Sequence, residues 1–104
     1  MDIRYLGHSA FQFKVGERCI LVDPLVNRND KYNWHEENIT DIFVTHGHAD
    51  HIGDSVEIAK EKGATVSAVV ELAKYYSDQG ITTNSVNFGS WLNYPWGRAI
   101  FVPA

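Results

Sequence analysis

The segment Thr45-His46-Gly47-His48-Ala49-Asp50-His51 places three imidazoles and one carboxylate within six positions, in the order H-x-H-x-D-H. Imidazole nitrogens and carboxylate oxygens are the donors that zinc and similar divalent metals prefer. The spacers Gly47 and Ala49 are too small to block an ion. In extended backbone, residues i and i+2 point the same way, so His46 and His48 can grip one ion together. Asp50 and His51 follow where the loop turns, and can face a second ion or a metal-bound water. A catalytic zinc keeps an open position for water and lowers its pKa to about 7. The Asp50 carboxylate can orient that water, a catalytic role, or help hold the second metal. The chemistry implied is metal-assisted hydrolysis. Zinc is the first choice of ion, and manganese or iron also suit a His/Asp set.

Such a cluster needs rigid elements behind it. The apolar run Ile42-Phe43-Val44 reads as the end of a strand over Asp41–Thr45, so the ligands fall where a strand opens into a loop. Upstream, residues 2–6 and Ala10–Val15 alternate as strands, and Gly16-Glu17 turns the chain into Cys19-Ile20-Leu21-Val22. Asp23-Pro24 ends that meander, because proline cannot donate to a ladder. Residues 25–38 show no clean period and read as a long loop, a frequent form for a functional lid. Downstream, Asp54 or Ser55 can cap a helix with Ile52, Val56 and Ala59 on its apolar side and Gly63 as its stop. A strand over Thr65–Val70 and a helix carrying Leu72, Ala73 and Tyr76 follow, the latter ending at Gly80. A strand near Ser85–Asn87 and a hairpin about Tyr94-Pro95-Trp96-Gly97 complete the chain. Strand, helix and strand alternate after an antiparallel start, which predicts an α/β fold with a mixed β-sheet. The strands Ile20–Val22 and Ile42–Val44 are continuously apolar and ask for cover on both faces. Two short helices cover one face, and the aromatic tail Trp91, Tyr94, Trp96 and Phe101 is expected to leave apolar surface on the other.

At 104 residues, 44% hydrophobic and 12% aromatic, the chain fits a single small domain with a real core. Its net charge of −4 and lack of a basic run give no electrostatic support for nucleic-acid binding. No apolar stretch is long enough to cross a bilayer, and residues 1–5 lack the layout of a secretion signal. One cysteine, Cys19, rules out an internal disulfide and points to a reducing, cytoplasmic setting. On its strand it reads as a small buried hydrophobe rather than a nucleophile.

H-x-H-x-D-H is the signature of the metallo-β-lactamase superfamily, which the chain resembles at these positions. It resembles more closely the L-ascorbate-6-phosphate lactonase-like branch. The supporting residues are Tyr5-Leu6-Gly7-His8-Ser9-Ala10-Phe11, Ile20-Leu21-Val22-Asp23-Pro24 and Val44 through Asp54, with Val56-Glu57-Ile58-Ala59 and Glu71-Leu72-Ala73. The resemblance implies an αββα sandwich of two βα halves, with this chain as the N-terminal half and helices on one face of its sheet. It implies that His46 and His48 bind a first metal, and Asp50 and His51 a second. His8 and Asp23 match positions that shape the site, and His35 reads as an exposed loop histidine. The family's second half supplies a third histidine, a bridging aspartate and a last histidine, so residues 1–104 are expected to form one incomplete domain. The function implied is hydrolysis of a lactone, ester or phosphoester in a small molecule. The alternative is a non-catalytic half that binds metal weakly. The partner expected is a complementary C-terminal half or a second copy of the chain.

Overall fold

The computed structural model describes residues 1–103. Strands β1 (Asp2–Gly7), β2 (Ala10–Val15) and β3 (Arg18–Val22) form the antiparallel meander that the alternation predicts. Then β4 (Asp41–Phe43), β5 (Thr65–Val69) and β6 (Thr83–Val86) each add in parallel, giving one sheet in the order β1-β2-β3-β4-β5-β6. Helices α1 (Ala49–Ile52) and α2 (Ser55–Lys62) lie between β4 and β5, and α3 (Val70–Ser77) lies between β5 and β6. A separate hairpin, β7 (Trp91–Tyr94) and β8 (Gly97–Ile100), closes the described chain. The class is α/β with a mixed sheet, as the sequence implies.

Register decides which side chains share a face. Leu21 pairs across β4 with Ile42, and Ile42 across β5 with Val66, so these three line one face and are fully buried. Ile58 and Ala59 of α2 and Tyr76 of α3 pack onto that face. So do Val26, Tyr32 and Trp34 from the segment expected to be a lid. That segment is a plug instead. Its buried aromatics satisfy their polar atoms, Trp34 Nε1 donating to Asn27 Oδ1 at 2.8 Å and Tyr32 OH to Gln12 Oε1 at 2.7 Å. With those bonds made, nothing in the segment's polarity prevents burial.

The opposite face carries Phe11, Phe13, Ile20, Val22 and Phe43, which are cross-strand partners along β2, β3 and β4. The hairpin lies over part of it, with Tyr94 and Phe101 at 6.2 and 6.1 Å from the Phe43 ring. The aromatic tail therefore covers more than was expected. Phe101 is buried and Tyr94 and Trp96 are half-buried, leaving Trp91 exposed among the four. Cover stops before the sheet edge, where Ile3 and Tyr5 of β1 stay open. No helix is long and apolar enough to cross a membrane among the described residues.

Candidate metal centre

Because β1 and β3 run the same way and β4 is parallel to β3, the segments after all three emerge at one end of the sheet. His8 follows β1, Asp23 follows β3, and the histidine loop follows β4. Ligands in open α/β sheets gather at such carboxyl ends. His8 (φ +50°) and Asp23 (φ +45°) are the non-glycine residues with positive φ among those described. Both flank the histidine loop, and strained backbone of this kind collects at functional sites.

Asp23 is the organiser. Its Oδ1 accepts the Thr45 backbone N–H at 2.8 Å, and its Oδ2 accepts the Thr45 hydroxyl at 2.7 Å. The same Oδ2 lies 2.8 Å from His51 Nδ1. A carboxylate only accepts, so His51 must carry its proton on Nδ1 and leave Nε2 free. Thr45 has one hydroxyl proton and gives it to Asp23. Its 2.9 Å contact with His46 Nδ1 must then be the imidazole N–H donating to Thr45 Oγ1. One buried carboxylate thus sets the same tautomer in His46 and His51, directly in one and through a hydroxyl in the other. Metal-bound histidines are held in this way, with the far nitrogen hydrogen-bonded and the near one open.

The loop after Asp23 is clamped to the loop after His51. Gly53 takes φ +51°, and a Cβ there would lie 2.6 Å from the Pro24 carbonyl oxygen and 2.8 Å from Leu25 Cα. Only glycine allows that approach. Beside it, Asp54 N–H donates to Pro24 O at 2.9 Å, and Asp54 Oδ2 accepts Val26 N–H and Asn27 N–H, each at 2.8 Å. Asp54 does occupy the N-cap position of α2, but its carboxylate serves the neighbouring loop rather than its own helix.

The ligand candidates converge. The His46 ring centroid lies 4.7 Å from that of His48 and 4.0 Å from that of His51. Asp50 is the second residue of helix α1, which has His48 at its N-cap, so the turn of the loop is helical rather than extended. Asp50 Oδ2 sits 3.9 Å from His51 Nε2 and 2.9 Å from His8 Nε2. One donor atom from each of His8, Asp50 and His51 lies within 4.8 Å of the others. The hydrogen bond from His8 holds the Asp50 carboxyl below its ordinary value against a desolvation that opposes it. A His/Asp set of this kind is one that divalent metals take, and the three donors that meet include His8 while His46 and His48 fall outside the group. His35 lies elsewhere, stacked on Trp34 at 3.8 Å and bonded to Glu61 at 2.8 Å.

Sequence reasoning brought His46, His48, Asp50, His51, His8 and Asp23 to one place. It gave His8 no direct bond to Asp50, and it missed Thr45, Gly53 and Asp54. The Gly53-Asp54 pair directly after H-x-H-x-D-H-I was the available signal, since a glycine inside an apolar, helix-like stretch marks a close approach.

A sequence profile of the metallo-beta-lactamase superfamily matches residues 4–100. A metal-dependent hydrolase of Lysinibacillus sphaericus is 39% identical over 106 aligned positions, covering 100% of this chain and 47% of that protein. Another from a Chelativorans species is 39% identical over 94, covering 86% of this chain and 40% of that protein. The chain thus spans about half the length of the curated relatives it matches. Among solved structures, Igni18, a metallo hydrolase of the hyperthermophilic archaeon Ignicoccus hospitalis, superposes with a TM-score of 0.76 at 28% identity. That match covers 88% of this chain and 41% of Igni18. With the profile spanning most of its length and the H-x-H-x-D-H loop at the mouth of its sheet, the chain belongs to the metallo-beta-lactamase superfamily and corresponds to its N-terminal half.

Proposed function

We propose that the chain is the metal-binding half of a hydrolase that opens a lactone, ester or phosphoester bond in a small molecule. His46 and His48 are assigned to one ion, Asp50 and His51 to a second, and zinc is the ion proposed. When bound, the metal supplies an activated water for attack on the scissile bond. Asp50 is the catalytic carboxylate that orients this water, and His8 positions Asp50 through its 2.9 Å hydrogen bond. The observation that carries the reading is the tautomer control by Asp23, which leaves Nε2 of both His46 and His51 open for an ion.

Two ligands per ion fall short of the three expected at a catalytic zinc. Activity is therefore assigned to this half together with a complementary C-terminal half, consistent with the 47% coverage of the Lysinibacillus relative. The compartment proposed is the cytoplasm, on the strength of a single buried, unpaired Cys19.

Zinc titration of the purified chain against a mild chelator tests the assignment. Binding of modest affinity is expected, and its loss in His48→Ala with an unchanged circular dichroism spectrum. No binding at all would refute it, and retention against a strong chelator would mean that other ligands complete the site. The isolated chain is expected to hydrolyse phosphodiester or lactone substrates no faster than free metal does. Metal-dependent turnover abolished by His46→Ala would overturn that expectation.

The alternative, a non-catalytic half that self-associates, is favoured by the open strip around Ile3 and Tyr5. Light scattering is expected to show dimers or larger species. A clean monomer at high concentration would remove this reading.

A further inference from the structure

The main sheet has two free edges, and they are finished differently. At one edge β6 presents the polar residues Thr83, Asn84 and Ser85. At the other, the chain entering and forming β1 is exposed at every residue from Met1 to Tyr5. Ile3 is 62% and Tyr5 60% exposed, and both stand on the face of their cross-strand partners Phe13 and Phe11. Asp2 and Arg4 stand on the other face, opposite Lys14 and Gln12. An edge with unpaired backbone groups and alternate apolar side chains is a template for another strand. The free stretch has a definite end. Leu6 O already accepts Asn29 Nδ2 at 2.9 Å, and the ladder shifts register between Tyr5 and Gly7.

The sequence of the edge selects its occupant. Opposite residues of an antiparallel pair share a face, so two copies of β1 related by a two-fold axis must centre on a residue that faces itself. Centred on Ile3, the pairing sets Asp2 of each copy against Arg4 of the other, Ile3 against Ile3, and Tyr5 against Met1. Both charged pairs are then of opposite sign, and every residue used lies in the free stretch. Centred on Arg4, the pairing would set two guanidinium groups against each other and bring Asp2 against Leu6, whose carbonyl is taken. Arg4 is also held in place, donating to Lys31 O at 2.8 Å and lying over the Tyr32 ring. An incoming Asp2 carboxylate therefore meets a fixed cation.

We infer that β1 is a self-recognising edge, through which two copies of this chain pair antiparallel with Ile3 on the two-fold axis. The two six-stranded sheets become one, and the apolar strip of Phe11, Phe13, Ile3 and Tyr5 runs on across the axis. The copies run in opposite directions, so their histidine loops lie at opposite ends of the joined sheet. This pairing therefore supplies neither metal centre with ligands. The inference rests on the self-association reading above, whose surface and register it names, and is independent of the metal reading. Residues 1–5 of each copy make a small interface, so the dimer is a weak one that dissociates on dilution.

The test is sedimentation velocity on the purified chain across a concentration series. A monomer–dimer equilibrium is expected with and without zinc. Ile3→Lys sets two ammonium groups at the axis, and Asp2→Arg turns both charge pairs repulsive, so each is expected to weaken the dimer about tenfold or more. Arg4→Asp should weaken it as well. Mixing the Asp2→Arg chain with the Arg4→Asp chain should restore the dimer, because each charge then meets its opposite. A fold merely loosened by the substitutions would gain nothing from mixing. Cross-linking reads the register separately. Under mild oxidation Ile3→Cys is expected to give a disulfide-linked dimer faster than Arg4→Cys does, with the native Cys19 buried and out of reach. Faster linking through Arg4→Cys, or no preference between the two, would overturn the inference. A dimer indifferent to both Ile3→Lys and Asp2→Arg would overturn it too, while leaving self-association through the open face standing. A monomer at every concentration would remove both readings and leave the metal reading untouched.

Discussion

Two aspartate–histidine pairs stand at this site with almost the same bond length and different surroundings. Asp23 meets His51 at 2.8 Å with side chains 4% and 18% exposed. Asp50 meets His8 at 2.9 Å with side chains 51% and 47% exposed. Water can replace the second bond easily and the first hardly at all. Asp23 accepts from three groups and fixes the tautomers around it, so it belongs to the frame. Asp50 is held by one exposed partner at the mouth, His8, which aims the carboxylate without locking it into the frame.

The strongest way to break the comparison is to break the frame. Gly53→Ala places a Cβ against the Pro24 carbonyl in a backbone conformation that side chains avoid. A loss of about 2–4 kcal/mol is expected in urea or thermal melts. An unchanged melt would show that the two loops slide freely, and the frame would not be rigid. Asp23→Asn comes next. An amide cannot accept from Thr45 N–H, Thr45 Oγ1 and His51 Nδ1 as the carboxylate does, so about 2 kcal/mol of stability should go. Zinc affinity should drop by about 10–100-fold as the tautomers are released. Loss of zinc with no loss of stability would place Asp23 with Asp50 and erase the distinction.

The mouth should behave oppositely. Asp50→Asn is expected to leave the melt essentially unchanged, because the side chain is exposed and bonds one neighbour. Its zinc affinity should nevertheless fall well below that of the unaltered chain in the same chelator titration. A large change in the melt would show that His8 and Asp50 hold the loops together.

The comparison also marks what the sequence could disclose. The H-x-H-x-D-H spacing and the alternating strands are local patterns, and they suffice for the location of the candidate site, the sheet and most element boundaries. The roles of Thr45 and Asp54 depend on which loop each one meets across more than twenty residues, and no local spacing encodes that. Trp34 and Tyr32 looked like lid residues because their neighbours are polar. Their burial depends on hydrogen bonds to Asn27 and Gln12 that exist only in the folded chain. The hairpin was legible from Pro95 and Gly97, but its docking over Phe43 was not, because aromatic residues pack equally well on a chain's own sheet or on another.

A last and smaller effect keeps acid titrations from blurring the contrast between the two pairs. Glu37 lies on the body of the fold, where Lys14 approaches Oε1 at 3.1 Å and Gln12 Nε2 donates to the same oxygen at 3.0 Å. Burial pushes its carboxyl up, but the hydrogen bonds from Lys14 and Gln12 outweigh this and leave it below its ordinary value. A carboxyl lowered in the folded state contributes stability that is complete above its unfolded pKa and is lost as pH falls through the folded one. Stability of the metal-free chain should therefore decline in acid, and Glu37→Gln should remove part of that slope while costing less than about 1 kcal/mol near pH 7. If Glu37→Gln left the acid slope untouched, the bonds that Lys14 and Gln12 make to Glu37 would not be its source, and the body of the fold would hold no acid-sensitive contact at this carboxylate.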